Sequence, residues 1–264
     1  MNNKNIVSGL VIGMRKSGTT WVYENLKKSS LVVVSDKVKE SGFFSKNNKL
    51  KVEGYHDLFP DDDSKIMLEV DTSIIYDLSA AKKIFDYNPD MKILAIKREP
   101  KEYVVSRYIH AKRRGLLTED TIYEALSNQE WFREELKFNK NINRFYSIFP
   151  KENICVLDFE ELNSSPNTFF QNGFRHLTSK NSDCDPDLEI INPAKVSSFP
   201  VITHFISGAA RFFRRLGMYS FVNFFKNLGL HKNLENSVKP MELNDEEIDL
   251  IQKIVNEDEA KYQI

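Results

Sequence analysis

Short apolar runs alternate with longer amphipathic stretches along the first two thirds of the chain. Val7 to Gly13 is an apolar run that ends on a glycine, and Thr19 to Lys28 then sets Trp21, Tyr23 and Leu26 among polar residues at helical spacing. Leu31–Val34, Ile66–Val70, Lys92–Lys97 and Asn153–Asp158 read as further buried strands. Helices are expected over Ile74–Phe85, closed by Asn88-Pro89, and over Lys101–Arg114, stopped by Gly115. A long helical stretch, Thr121–Phe149, ends at Pro150, another helix covers Pro166–Leu177, and a polar helix begins at about Asn244. Apolar strands spaced by helices predict an α/β fold of three layers, with a central parallel sheet flanked by helices. Ligands of such sheets bind at the carboxyl ends of the strands.

Composition narrows this picture. The 264 residues are 41% hydrophobic and 28% charged, enough for one large domain with a sizeable core. The net charge of −1 gives no global field for nucleic acid, so any anion site must be a local cluster of basic residues. The two cysteines, Cys155 in an apolar run and Cys184 in a polar loop, suggest no disulfide framework and point to a reducing compartment. The first apolar run breaks at Arg15 and Lys16, so no signal peptide is expected, and no segment reaches the length of a membrane span. A cytoplasmic location follows as an expectation.

The first chemical signal is the loop Gly13-Met14-Arg15-Lys16-Ser17-Gly18-Thr19-Thr20-Trp21, between the first strand and the first helix. Its glycines have the G-x4-G spacing of a nucleotide phosphate loop, whose amides and following helix cradle a phosphate. The lysine that would follow Gly18 in a nucleoside triphosphatase is replaced by Thr19, while a lysine stands earlier, at Lys16. Magnesium has no clear strand-end Asp, Asp71 being the nearest, so no metal is expected. This suits a 5′-phosphate whose far end needs a lysine. A bare G-x4-G is a weak signal, and the alternative is a glycine turn beside a solvated basic pair.

The segment Val11 to Trp21 resembles the phosphosulfate loop of the sulfotransferases that use 3′-phosphoadenosine-5′-phosphosulfate (PAPS). A second motif strengthens the resemblance. The strand Lys92–Lys97 leads into Arg98-Glu99-Pro100, and Ser106 stands eight residues after Arg98. This is similar to the family's 3′-phosphate site, in which a strand-end arginine and a serine on the next helix share one phosphate. Cys155–Leu162 followed by Pro166 is similar to a structural segment of the family, so the resemblance spans roughly residues 6–178. It implies a P-loop-like fold in which Arg15, Lys16, Ser17, Gly18, Thr19, Thr20, Trp21, Arg98 and Ser106 bind PAPS. Lys16 would face the bridging oxygen between phosphate and sulfate, and Trp21 the adenine. The implied product is 3′,5′-ADP, and no metal is needed.

Sulfo transfer calls for a general base and for cations at the leaving group. Lys39-Glu40, ahead of Phe43-Phe44, resembles the Lys-Glu pair of the carbohydrate or heparan-type branch, which implies Glu40 as base with Lys39 and Lys16 as catalytic cations. The other branch places a histidine between the two motifs, and His56 is the histidine in that interval. That first branch also carries a lysine and a proline after the next strand, where this chain has Glu69-Val70-Asp71-Thr72-Ser73, so Asp71 competes as base or shapes the acceptor site.

Residues 1–264 are read as a single domain, with a nucleotide-binding core over 1–178 and a C-terminal loop and helices over 179–264. Phe205–Leu230 mixes phenylalanine with arginine and could serve as a lid, an acceptor site or a homodimer contact; Arg211, Arg214 or Arg215 could replace missing nucleotide contacts. The expected partner is a carbohydrate or small-molecule acceptor presenting a hydroxyl or amine, with no nucleic acid. The competing readings are a P-loop kinase of a small metabolite and a non-catalytic nucleotide-binding module.

Overall fold

The computed structural model describes residues 6–46, 48–188, 195–197, 235–237 and 241–263. In chain order the elements are β1 (Gly9–Gly13), α1 (Thr19–Leu26), β2 (Val32–Val33), α2 (Val52–His56), β3 (Ile66–Val70), α3 (Ala80–Tyr87) and β4 (Lys92–Lys97). Then follow α4 (Pro100–Arg113), α5 (Ile122–Asn128), α6 (Glu130–Leu136), α7 (Phe138–Tyr146), β5 (Ile154–Asp158), α8 (Phe159–Ser164), α9 (Pro166–Thr178), β6 (Lys195–Ser197), β7 (Glu235–Ser237) and α10 (Asp245–Lys261). They divide into two compact units, one of residues 1–99 and 141–191, the other of residues 100–140 and 192–264.

The first unit is built on a five-stranded parallel sheet in the order β2-β3-β1-β4-β5. Every residue of β1 is buried, as expected of a central strand covered on both faces. On one face Val11, Leu68, Val70, Leu94 and Ile96 form a core with Trp21, Val22 and Leu26 of α1 and Phe169, Phe170, Phe174 and Leu177 of α9. Because β1 lies between β3 and β4, the loops that leave these three strands share one end of the sheet.

Gly13 fixes how closely the first loop leaves the sheet. Its φ is +134°, and a Cβ there would lie 2.4 Å from the Ile96 carbonyl oxygen on β4. The backbones can then approach, and the Met14 amide donates to that same carbonyl at 2.9 Å.

The second unit packs α4 against α5, α6 and α10. Arg107 and Glu135 form a buried two-bond ion pair, at 2.6 and 3.2 Å, and Tyr103 OH donates to the same carboxylate at 3.2 Å. Glu247 of α10 accepts the amides of Ile122 and Tyr123 at the start of α5. Asn244 caps α10 through a reciprocal capping box with Glu247, which accounts for the expected start of that helix. β6 and β7 pair antiparallel.

The expected parallel α/β architecture is present, and two of the expected helices are interrupted. Ile74–Phe85 is not one helix: residues Ile74–Tyr76 form a 3₁₀ turn, and α3 starts only at Ala80. Asp77 breaks the run, because its carboxylate accepts the Ser79 amide and hydroxyl at 2.9 and 2.7 Å, in a local turn that competes with helix. Thr121–Phe149 is three helices, because Gln129 (φ −105°, ψ 98°) and Lys137 (φ −80°, ψ 76°) leave the helical region. The breaks re-aim the apolar stripe, so that Ile122, Ala125 and Leu126 of α5 and Phe132 and Leu136 of α6 are all buried. Phe205–Leu230, with Arg211, Arg214 and Arg215, lies outside the described residues.

Gly13→Ala is expected to cost about 2 kcal/mol or more of unfolding free energy, since it combines a disfavoured φ with a backbone clash. Chemical denaturation measures it, and an unchanged midpoint would contradict the close approach of β1 and β4.

Candidate active site

After Gly13 the chain turns through two left-handed residues, Lys16 (φ 66°) and Gly18 (φ 76°), before α1 begins. Gly18 is also pinned from outside, since a Cβ would lie 2.8 Å from Leu162 and Phe159. Ser17 is fully buried, and its hydroxyl donates back to the Met14 carbonyl, closing the loop on itself. No side chain caps α1, and its first turn holds no acidic residue. The first amides of α1 and the positive end of its dipole therefore face the loop without a built-in anion. These features fit a phosphate group, so the loop has the properties expected of a nucleotide cradle.

The strand-end arginine is tied to this loop. Arg98 leaves β4 two residues beyond Ile96, donates from Nη1 to the Lys16 carbonyl at 2.6 Å, and lies with its guanidinium 4.6 Å from the centre of the Phe159 ring. The two motifs that are separated by some 80 residues in sequence thus share one hydrogen bond. Arg15 lies over the Tyr76 ring at 4.9 Å, and its amide donates to Tyr76 OH at 3.2 Å. Ser106 is half-buried on α4, in the second unit. Trp21 is only 6% exposed: its ring meets Phe169 and Phe170 edge-on, and its indole N–H donates to the Asp187 carbonyl at 2.6 Å.

Lys39 and Glu40 reach the same end of the sheet. Lys39 Nζ lies 2.8 Å from Glu40 Oε1 and 3.4 Å from the Thr19 hydroxyl at the start of α1. The Thr72 hydroxyl donates to Glu40 Oε1 at 2.9 Å. Burial pushes the Glu40 carboxyl up. The Lys39 charge and hydrogen bond, the Thr72 hydroxyl and the Arg15 charge outweigh that, and the result lies below the ordinary carboxylate value. Glu40 is therefore ionised at neutral pH, and with 34% of its side chain exposed it can meet a ligand.

The two competing candidates for a base sit differently. Asp71 is fully buried, and its two oxygens accept the Ser73 amide (2.8 Å), the Ser73 hydroxyl (2.6 Å) and the Gly42 amide (2.9 Å). His56 Nε2 lies 2.9 Å from Tyr87 OH, which accepts the Val7 amide at 3.0 Å, at the amino end of β1. The Glu40 amide bonds to Val70, whose partner on β1 is Val11. Four residues of extended chain separate these levels, about 13 Å. His56 and Glu40 thus stand at different heights along the sheet.

Comparison with known proteins now adds to the geometry. A sequence profile described as the sulfotransferase domain matches residues 8–184, two thirds of the chain. The chain belongs to the sulfotransferase domain family. A search of curated proteins gave no match. The structure of a sulfotransferase from Alicyclobacillus acidocaldarius is similar with a TM-score of 0.62 at 18% identity, over 83% of this chain and 96% of that one. That likeness is one of fold. Retinol dehydratase, in complex with androsterone and inactive cofactor PAP, gives a TM-score of 0.48 at 12% identity, over 99% of this chain and 84% of that one. The sulfotransferase domain from the curacin biosynthetic pathway gives 0.43 at 12%, over 72% and 94%. Sulfo transfer is thus the chemistry this sulfotransferase's site has to serve.

Four residues at the site escaped the sequence: Thr72, Tyr76, Phe159 and Glu69. Thr72 and Tyr76 follow β3, and only the strand order shows that β3 lies beside β1. Phe159 follows β5, two strands from the loop it supports. Glu69, inside an apolar strand, is buried. Its Oε1 accepts the Ser41 amide at 3.2 Å and the Ser41 hydroxyl, and its Oε2 accepts Tyr55 OH. Among the described residues no cluster of three or more His, Cys, Asp and Glu is arranged to hold a metal, and no helix is long and apolar enough to cross a membrane.

Burial, then the nearby Asp71 charge, raises the Glu69 pKa to about 7. A carboxyl that binds its proton more tightly when folded costs stability as pH rises from the unfolded value of about 4.3 toward 7. Wild type should therefore lose stability relative to Glu69→Gln between pH 5 and pH 8. Parallel denaturation curves at the two pH values test this, and a difference that does not change with pH would contradict the raised value.

Proposed function

We propose that this sulfotransferase moves a sulfo group from PAPS to a hydroxyl or amine of a carbohydrate or small natural product, with Glu40 as general base. The observation that carries the reading is the meeting of Lys39-Glu40 with Thr19 at the start of α1, beside a loop suited to a phosphate. PAPS supplies an electrophilic sulfur and a phosphate leaving group. The loop amides and the N-terminus of α1 bind the 5′-phosphate, with Arg15, Ser17, Gly18, Thr19 and Thr20 lining it. Lys16 and Lys39 place positive charge where negative charge grows on the leaving oxygen. Arg98 and Ser106 hold the 3′-phosphate, and Trp21 supports the nucleotide from the α1 side. No metal takes part.

The acceptor O–H or N–H attacks sulfur in line, the bond from sulfur to the phosphate oxygen breaks, and the acceptor proton passes to Glu40. Its lowered pKa keeps Glu40 ionised before attack. Asp71 is a poor alternative because three donors already occupy its oxygens, and His56 because its partner Tyr87 binds at the Val7 level of β1. The chain acts as a single catalytic domain with a nucleotide-binding core over residues 1–178. Free Cys155 and Cys184 fit a reducing, cytoplasmic setting.

Glu40→Gln should leave PAPS affinity nearly intact and lower turnover by about 100-fold or more. Transfer of ³⁵S from labelled PAPS to a panel of phenols, sugars and amines reads turnover, and a PAPS titration reads affinity. Undiminished transfer by Glu40→Gln would overturn the assignment of the base.

A further inference from the structure

Glu40 adopts a conformation that its own side chain disfavours. Its φ is +65°, in the left-handed region that costs a non-glycine residue about 1 kcal/mol or more. Something must hold it there, and the holding groups all come from the end of β3. The Glu40 amide donates to the Val70 carbonyl at 3.1 Å. The next amide, of Ser41, donates to the Glu69 carboxylate at 3.2 Å. The amide after that, of Gly42, donates to the Asp71 carboxylate at 2.9 Å. Three successive N–H groups are thus taken by three successive residues, Glu69 and Val70 of β3 and Asp71 just beyond it, two of them through buried acids. Gly42 is also left-handed, with φ 67°, so the chain turns sharply on either side of Ser41.

The side chain is held from the same strand, since Thr72, one residue after Asp71, donates to Glu40 Oε1 at 2.9 Å. Asp71 is itself locked, because the Ser73 amide and hydroxyl occupy its Oδ1 and leave Oδ2 for Gly42. A carboxylate that accepts three hydrogen bonds from fixed donors has one rotamer, and that rotamer sets the position of Gly42. Burying these acids is costly: burial raises the proton affinity of both, the Asp71 charge raises that of Glu69 further, and the Glu40 charge raises that of Asp71. A turn that only had to close could use carbonyl oxygens at far lower cost.

We propose that Asp71 is a positioning residue for the reaction, which clamps the Glu40–Gly42 backbone from β3 so that the Glu40 carboxylate is aimed by the strand next to the phosphate loop, with Thr72 setting its rotamer. This rests on the reading of Glu40 as the base. It assigns the acidic strand end Glu69-Val70-Asp71-Thr72 a task distinct from proton transfer: the strand that flanks β1 carries the base's support, as β1 carries the donor loop. Because β1 and β3 are paired from Gly9–Leu68 to Val11–Val70, base and loop share one rigid frame.

The test compares wild type, Asp71→Asn, Thr72→Val, Glu40→Gln and the double variants of the first two with Glu40→Gln. Two measurements are made: amide hydrogen exchange over residues 39–44, and release of 3′,5′-ADP from PAPS over a panel of phenol, sugar and amine acceptors. Asp71→Asn is isosteric, and Thr72→Val leaves the clamp intact, so one variant stands if the other misfolds. Asp71→Asn should speed exchange of the Ser41 and Gly42 amides at least 10-fold and lower kcat about 10- to 100-fold, with the KM for PAPS unchanged. Thr72→Val should lower kcat about 3- to 10-fold with exchange unchanged. Neither should slow the Glu40→Gln background further, because groups that act through one residue are not additive with its loss. Unchanged exchange in Asp71→Asn, or an equal fall in kcat with and without Glu40, would overturn the positioning role. Full turnover by Glu40→Gln would instead overturn the reading of the base, and the positioning role would fall with it.

Discussion

The close approach of β1 to β4 at Gly13 is the constraint on which the site depends. With no side chain in the way, the Met14 amide reaches the Ile96 carbonyl, and the loop starts from a fixed point on the neighbouring strand. Two residues further along β4, Arg98 turns back to hold the Lys16 carbonyl. The loop is therefore gripped at its start and at its left-handed turn by one neighbour. A Cβ at residue 13 would push β4 away and loosen both grips together. Local backbone geometry at one glycine thus couples the residues proposed for the two ends of one nucleotide.

On the other side of β1 the coupling is electrostatic. β3 ends in buried acids that would repel each other and Glu40 if nothing intervened. The backbone amides of Ser41 and Gly42, the hydroxyls of Ser41, Ser73 and Tyr55, and the Lys39 ammonium supply the compensation. The outcome differs between members of the cluster. Glu40, a third exposed and beside Lys39, falls below the usual carboxylate range, while buried Glu69 rises to about 7. Neighbouring carboxyls pushed in opposite directions by their surroundings are a common arrangement at sites of proton transfer. The two flanking strands thus divide the work, with β4 steadying the Gly13–Gly18 loop and β3 the proposed base, Glu40.

The sequence makes the Gly13–Trp21 loop legible because its chemistry is local: glycines, a lysine and a helix start within nine residues. Arg98 is legible for the same reason, as a strand end followed by proline. The hydrogen bond between them is not, because it depends on strand order, which residue spacing does not encode. Thr72 and Tyr76 are hidden in the same way, since nothing near them in sequence mentions β1. Asp71 is visible as a departure from the family's pattern, but its burial and its bond from the Gly42 amide are not, because residue 42 is distant in sequence. The helix boundaries that differ, at Asp77, Gln129 and Lys137, are places where side-chain hydrogen bonds or packing overrode a continuous helical pattern.

The loop and Arg98 are proposed to serve one nucleotide that carries phosphates at both its 5′ and 3′ positions. Calorimetric titration of the protein with 3′,5′-ADP, ADP and ATP, each with and without magnesium, tests it most directly. 3′,5′-ADP should bind at least about 10-fold more tightly than ADP, a difference of about 1.4 kcal/mol for the added phosphate, and magnesium should have no effect. Tighter binding of ATP in the presence of magnesium, with no gain from the 3′-phosphate, would contradict that proposal.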